Sequence, residues 1–176
     1  NCYFLINGIT CETVVFDPAD SPDIIADFIF KNGLKPVAVC LTHGHYDHIT
    51  GIEGFRKIYD VPVYADINEK EVLSDGELNH SLLRYGHAVT VQPDHFIKDG
   101  DVIKLAGFDI KLISTPGHTE GSCCYYVESE KILISGDTLF EGSVGRTDLP
   151  TGSMAKLMLS VNSKLKPLPD DTDVYP

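Results

Sequence analysis

The chain has 176 residues, 43% of them apolar and 23% charged, enough for one folded domain with a core of useful size. Its 14 Lys and Arg against 26 Asp and Glu give a formal net charge of -12, which repels phosphate backbones and argues against a nucleic-acid partner. No apolar run is long enough to span a bilayer and no signal peptide is visible, so no membrane partner is expected.

The five cysteines are odd in number and include no Cys-x-x-Cys pair, which predicts reduced, mostly buried thiols in a cytoplasmic protein. Residues 2–7 and 12–16 read as two strands about a turn at Gly8, the second ended by Asp17-Pro18. Ser21 as N-cap, Pro22 at the first helical position and Gly33 as stop predict a helix to about Asn32, with Ile24, Ile25, Phe28 and Ile29 on its apolar face. Residues 36–41 form a short apolar run and read as a buried strand. A strand over 61–65 and a helix over 66–74 follow, and residues 75–97 read as a loop-rich excursion.

Beyond the Asp99-Gly100-Asp101 turn come strands near 101–105 and 108–114, then a hairpin of 122–128 with 131–135 across Ser129-Glu130. Alternation along that hairpin puts one of Tyr125 and Tyr126 in the core and the other outside. Residues 153–165 predict an amphipathic helix with Met154, Leu157, Met158 and Val161 inward, ended by Pro167 and Pro169. Asp173 to Pro176 start a further strand. The mixture predicts layers of helix and sheet about one core.

The densest chemical signal is Thr42-His43-Gly44-His45-Tyr46-Asp47-His48. A spacing of two puts His43 and His45 on one side of an extended segment, and Gly44 permits a tight path between them. The chain then turns, so Asp47 and His48 can face a neighbouring point. Imidazole and carboxylate together suit divalent zinc, manganese or iron. His118 and Asp137 follow the strands at 108–114 and 131–135 just as His43 follows the strand at 36–41. All three groups therefore sit beyond the C-terminal end of an apolar strand, where α/β sheets favour ligand sites.

The run from His43 to His48 resembles the His-x-His-x-Asp-His signature of the metallo-β-lactamase superfamily. Thr115-Pro116-Gly117-His118-Thr119 and Gly136-Asp137-Thr138-Leu139-Phe140 resemble its later ligand motifs, in the same order. Gly142 to Pro150 is similar to a segment of the glyoxalase II-like branch, the hydroxyacylglutathione hydrolases. The resemblance implies a four-layer αββα sandwich in a single domain over 1–176. It implies two divalent metal ions, with zinc favoured and iron or manganese as alternatives. One ion would be held by His43, His45 and His118 and the other by Asp47 and His48, with Asp137 bridging. The family has a final His within a Gly-His-Gly segment near the position where this sequence stops at Val174-Tyr175-Pro176. His80, His87 and His95 lie in the wrong place to replace it, so the chain is expected to be cut short at its C-terminal end.

The function so implied is hydrolysis of a small thioester such as S-lactoylglutathione by hydroxide generated at the metals, with Asp47 orienting that hydroxide or carrying its proton. Arg146 either pairs with Asp148 to brace the site wall or meets a substrate carboxylate, and Tyr46, between ligands, lines the pocket. Persulfide dioxygenases, which use a single iron, resemble the chain too, including the Gly-Arg-Thr-Asp element. Lactone or ester hydrolysis is a further alternative, as is a non-catalytic metal-binding module. The segment after Asp137 argues against a β-lactamase or lactonase role.

Overall fold

The computed structural model describes residues 1–176. Strands β1 (Tyr3–Ile6), β2 (Glu12–Phe16), β3 (Lys35–Cys40), β4 (Val63–Asp66) and β5 (His95–Ile97) form one five-stranded sheet in that order. β1 is antiparallel to β2, and the other neighbours are parallel. A second five-stranded sheet has the order β12 (Asp173–Tyr175), β9 (Ile132–Ile134), β8 (Cys123–Val127), β7 (Phe108–Ser114) and β6 (Val102–Leu105). A short ribbon pairs β10 (Leu139–Phe140) with β11 (Ser143–Val144).

Side chains alternate across each sheet and so feed two cores at once. Val14, Phe16, Ala38 and Cys40 meet Ile110, Leu112, Cys123, Tyr125 and Val127 between the sheets. Val15, Val39, Val63 and Ala65 face the other way, onto helices α1 (Pro22–Lys31), α2 (Tyr46–Ile49) and α3 (Ile52–Ile58). On the far side, Ile113, Cys124, Tyr126 and Leu133 pack beneath Leu165, in the π-helical turn Val161–Leu165 that extends α6 (Met154–Ser160). The result is the four-layer αββα sandwich expected. Short helices α4 (Lys70–Ser74) and α5 (Ser81–Tyr85) fill the connection from β4 to β5.

Several local expectations are corrected. Ser21 adopts φ 53° and makes no side-chain cap. Instead the Asp20 carboxylate accepts from the Ser21 amide at 2.7 Å. Of the predicted apolar face of α1, Ile25 and Ile29 are buried, while Ile24 and Phe28 are 70% and 44% exposed. Only one turn-spaced stripe meets the sheet, and Phe28 instead lies against Phe4, with ring centroids 5.1 Å apart. On α6 the inward residue is Leu157, and Met154 and Met158 remain 51% and 41% exposed. The cause is close packing on Gly117: a Cβ there would lie 2.3 Å from the Leu157 nitrogen, which fixes the face that α6 presents. Tyr125 and Tyr126 are both buried, because both faces of β8 are covered by protein. Within the segment read as a loop-rich excursion, residues 95–97 complete the first sheet as β5.

Candidate metal centre

Five strands deliver polar side chains to one rim, each from just beyond its C-terminal end. β2 leads to Asp17, β3 to His43 and His45, β4 to Glu69, β7 to His118 and β9 to Asp137. His43, His45, His48, Glu69 and His118 are all buried. The ligand atoms of His43, His45 and His118 all lie within 4.8 Å of one another, as do those of His43, His48 and Asp137. His118 Nε2 is 2.9 Å from His45 Nδ1 and 3.2 Å from His43 Nε2. Asp137 lies between the two groups, with Oδ1 3.4 Å from His48 Nε2 and Oδ2 3.5 Å from His118 Nε2.

Hydrogen bonds at the back of the His118 and His43 rings fix which of their nitrogens are bare. His118 Nδ1 lies 2.8 Å from the Arg146 carbonyl, which only accepts, so Nδ1 carries the proton and Nε2 presents a lone pair. Thr42 donates its hydroxyl proton to Asp17 Oδ2 at 2.6 Å, so toward His43 Nδ1, 3.1 Å away, its oxygen accepts. His43 Nε2 is therefore bare as well. Two lone pairs then face each other at 3.2 Å, an arrangement that a shared cation relieves. Three nitrogens about 2.0–2.1 Å from one tetrahedral ion would be roughly 3.3 Å apart, close to the spacing seen. The residues present fit a divalent metal.

Electrostatics agree. Burial, reinforced by the neighbouring imidazoles, holds His43 well below the ordinary histidine range. Burial and then His118 bring His45 down to about 3. Burial also lowers His118. Neutral imidazole is the ligating form. His48 behaves oppositely. Burial disfavours its charge, but the Asp17 carboxylate first and then Asp137 outweigh that and raise it to about 10. Burial opposes ionisation of Asp137, yet the His48 hydrogen bond and charge hold its carboxyl below the usual range.

Two buried carboxylates brace the ligand loops. Asp17 accepts from the Thr42 amide at 2.8 Å and meets His48 Nδ1 at 2.9 Å, so it orients His48 by the ring edge that faces away from Asp137. Glu69 Oε1 accepts from the Gly44 amide at 2.7 Å, and Oε2 accepts from Thr119 Oγ1 and the Gly121 amide, each at 2.9 Å. One carboxylate thus ties the His43–His45 loop to the His118 loop. Its burial raises Glu69 to about 7 against those three hydrogen bonds.

Six candidate ligands were expected, and five of them supply the convergent atoms. Asp47 is exposed, contributes to neither group, and lies instead along the wall of a cleft of about 180 Å³. Consecutive helical residues point about 100° apart, so turning His48 inward on α2 leaves Asp47 facing out. The same cleft is lined by His45, Tyr46, His80, His118, Asp137, Arg146 and Leu149. Arg146 makes a two-pronged pair with Asp148, both contacts at 2.8 Å, in keeping with the bracing alternative. Asp17, Glu69 and His80 were not singled out as site residues from sequence. Asp17 and Glu69 also follow predicted apolar strands, the criterion that picked out His118 and Asp137. Applied evenly, it would have found them.

The sequence model for "Metallo-beta-lactamase superfamily" matches residues 1–176. The chain is 42% identical over 173 residues to "Probable metallo-hydrolase YqgX" of Bacillus subtilis, covering 98% of this chain and 81% of that protein. It is 32% identical over 163 residues to "Hydroxyacylglutathione hydrolase GloC" of Haemophilus influenzae, covering 91% and 76%. Its structure is similar to that of BLEG-1 B3 metallo-beta-lactamase, with a TM-score of 0.92 and 37% identity over 99% of this chain and 84% of that one. It is also similar to TTHA1623 in a di-iron-bound form, with a TM-score of 0.86 and 31% identity over 100% and 85%. The chain belongs to the metallo-beta-lactamase superfamily.

Proposed function

We propose that this metallo-hydrolase is a thioesterase that cleaves small S-acyl thiols of the S-lactoylglutathione class, holding two divalent ions, with zinc the favoured metal. The observation that carries the reading is the convergence of His43, His45 and His118 on one point, with Asp137 reaching from it to His48, at the floor of an open cleft. The likeness to the hydroxyacylglutathione hydrolase supports the substrate class. The nitrogen-rich donor set suits zinc, and the di-iron relative keeps iron in play.

His43, His45 and His118 would hold one ion, and His48 the other, with Asp137 offering an oxygen to each. When bound, the ions supply Lewis acidity and make hydroxide available near neutral pH. The protein's part is positional. The Arg146 carbonyl and the Thr42 hydroxyl set the tautomers of His118 and His43, Asp17 orients His48, and Glu69 ties the His43–His45 loop to the His118 loop. Asp137 stays ionised, and Asp47, on the exposed wall of the cleft, would orient the hydroxide or carry its proton. Tyr46 and Arg146 line the space in which an acyl group would lie. A thiol has a pKa of about 8.5, so the departing thiolate needs little help from an acid. The five free cysteines suit a reducing, cytoplasmic setting.

The test is hydrolysis of S-lactoylglutathione by the metal-loaded protein, followed with and without chelator. Chelator-sensitive turnover is expected, and turnover that survives complete metal removal would refute the reading. A second reading, a mononuclear iron oxygenase acting on a persulfide, draws on His43, on His45 or His118, and on Asp137. Oxygen uptake with glutathione persulfide by protein holding one iron would favour it.

A further inference from the structure

His80 stands apart from the ligands and yet lines the same cleft as His45, His118 and Asp137. Its backbone sits at φ 65°, the left-handed region that a residue with a Cβ seldom occupies. Such strain persists only where surrounding structure over-determines it. Here it is over-determined. The fully buried Asn79 donates from Nδ2 to the Val89 carbonyl at 2.8 Å, and its Oδ1 accepts from the Ser81 amide at 2.9 Å. Ser81 Oγ accepts from the Val89 amide at 2.8 Å. A Cβ on Gly76 would lie 2.6 Å from that of Ala88, so the two sides of this loop are packed to contact. The loop is also tied to the ligand motif, because the Tyr46 amide donates to the Asn79 carbonyl at 3.0 Å.

What this bracing presents is an unfinished hydrogen bond. His80 Nε2 is buried with no partner in the protein. The outer nitrogen of His45, Nε2, is in the same condition, and the two rings lie edge to face with centroids 6.1 Å apart. A buried polar atom left unpaired is costly, so a braced, strained loop that holds one at a cleft wall implies a partner that arrives from outside. We propose that His80 contacts the substrate, its Nε2 hydrogen-bonding a polar atom of the bound acyl thioester beside His45. This rests on the thioesterase reading above. The step is one of binding and orientation, and no bond to His80 is made or broken.

The test uses the metal-loaded protein and its His80→Gly, His80→Asn and His80→Gln variants. Three quantities are measured: kcat/KM for S-lactoylglutathione, bound metal per chain, and Tm. Gly and Asn suit a left-handed backbone, so Tm should hold or rise in those two variants. Metal content should stay at the wild-type level, while kcat/KM falls about tenfold, the scale of one lost hydrogen bond. His80→Gln, which keeps an N–H at similar reach, should recover part of that loss. Unchanged kcat/KM in His80→Gly overturns the proposal. So does a joint fall of activity, metal content and Tm, which marks a purely structural histidine. A wild-type protein with no thioester turnover sinks the functional reading and this inference with it. Wild-type turnover with indifferent variants sinks only the inference.

Discussion

Gly145 sits where an added methyl would strike the centre without touching a ligand atom directly. A Cβ at this position would lie 1.8 Å from the Asp137 carbonyl oxygen, 3.0 Å from its carbon and 3.4 Å from His118 Nδ1. Real Cβ contacts essentially never fall below 3.0 Å, so Gly145→Ala must open that gap by at least 1.2 Å. The atoms in the way are backbone, which cannot swing aside as the end of a long side chain can. The Gly145 amide also donates to the Thr138 carbonyl at 3.3 Å, so the two segments separate together. Asp137 then leaves its place between His48 and His118. A misplacement of about 1 Å at a reacting centre costs about 100-fold in rate, roughly 2.7 kcal/mol of barrier. Gly145→Ala should therefore lose about 100-fold in kcat/KM and bind metal more weakly. The control is Gly142→Ala: that site has φ 67° but no atom within 4 Å, so it carries only a backbone penalty of about 1 kcal/mol and should retain metal. Metal content of the purified variants, far-UV circular dichroism and thioester turnover decide the matter. Wild-type metal content and wild-type turnover in Gly145→Ala would show that the tight packing behind Asp137 does not hold the site.

Other outcomes follow from the bracing carboxylates. Asp17→Asn removes the charged acceptor behind His48 and should weaken metal binding 10–100-fold, read by chelator competition. Glu69→Gln presents an amide NH₂ to a site surrounded by three donors and should destabilise the fold by about 1–3 kcal/mol in urea titration. Burial raises Glu69 from 4.5 to about 7, so the folded chain holds more protons than the unfolded one between those values. Its contribution to stability therefore falls as pH rises through that window, and the pH slope should flatten in Glu69→Gln. A slope the same in both proteins would contradict the assignment. In the metal-free protein His48, raised to about 10, is protonated at pH 8, whereas a ligand must be neutral. Loading the Asp137–His48 side at pH 8 should release close to one proton from that ring, measurable in weakly buffered solution. No release would place the ion elsewhere.

The sequence carried the architecture and the ligand cluster because both are written in short-range patterns. Apolar runs ending in His or Asp mark strands that reach a rim, and His43-Gly44-His45 is dense enough to be read without a partner. What it did not carry depends on facing surfaces. The burial of Leu157 rather than Met154 or Met158 is decided by Gly117, some forty residues earlier in the chain. The burial of Tyr126 depends on a cover supplied by Leu165. Segment 46–58 has a helical pattern interrupted by Gly51 and Gly54, and both glycines are there for close approach. A Cβ would lie 2.4 Å from the Pro18 carbonyl oxygen at the first and 2.5 Å from the Pro22 ring at the second. Asp47 and His48 are neighbours in sequence, and only the turn of α2 separates the exposed carboxylate from the buried imidazole.

The central claim is that distant segments build one cation site, and crystals loaded with zinc test it directly through anomalous scattering at the zinc edge. A peak is expected about 2.0–2.1 Å from His43 Nε2, His45 Nδ1 and His118 Nε2, with Asp137 alongside. Zinc bound at surface carboxylates while those three imidazoles stay vacant would contradict it.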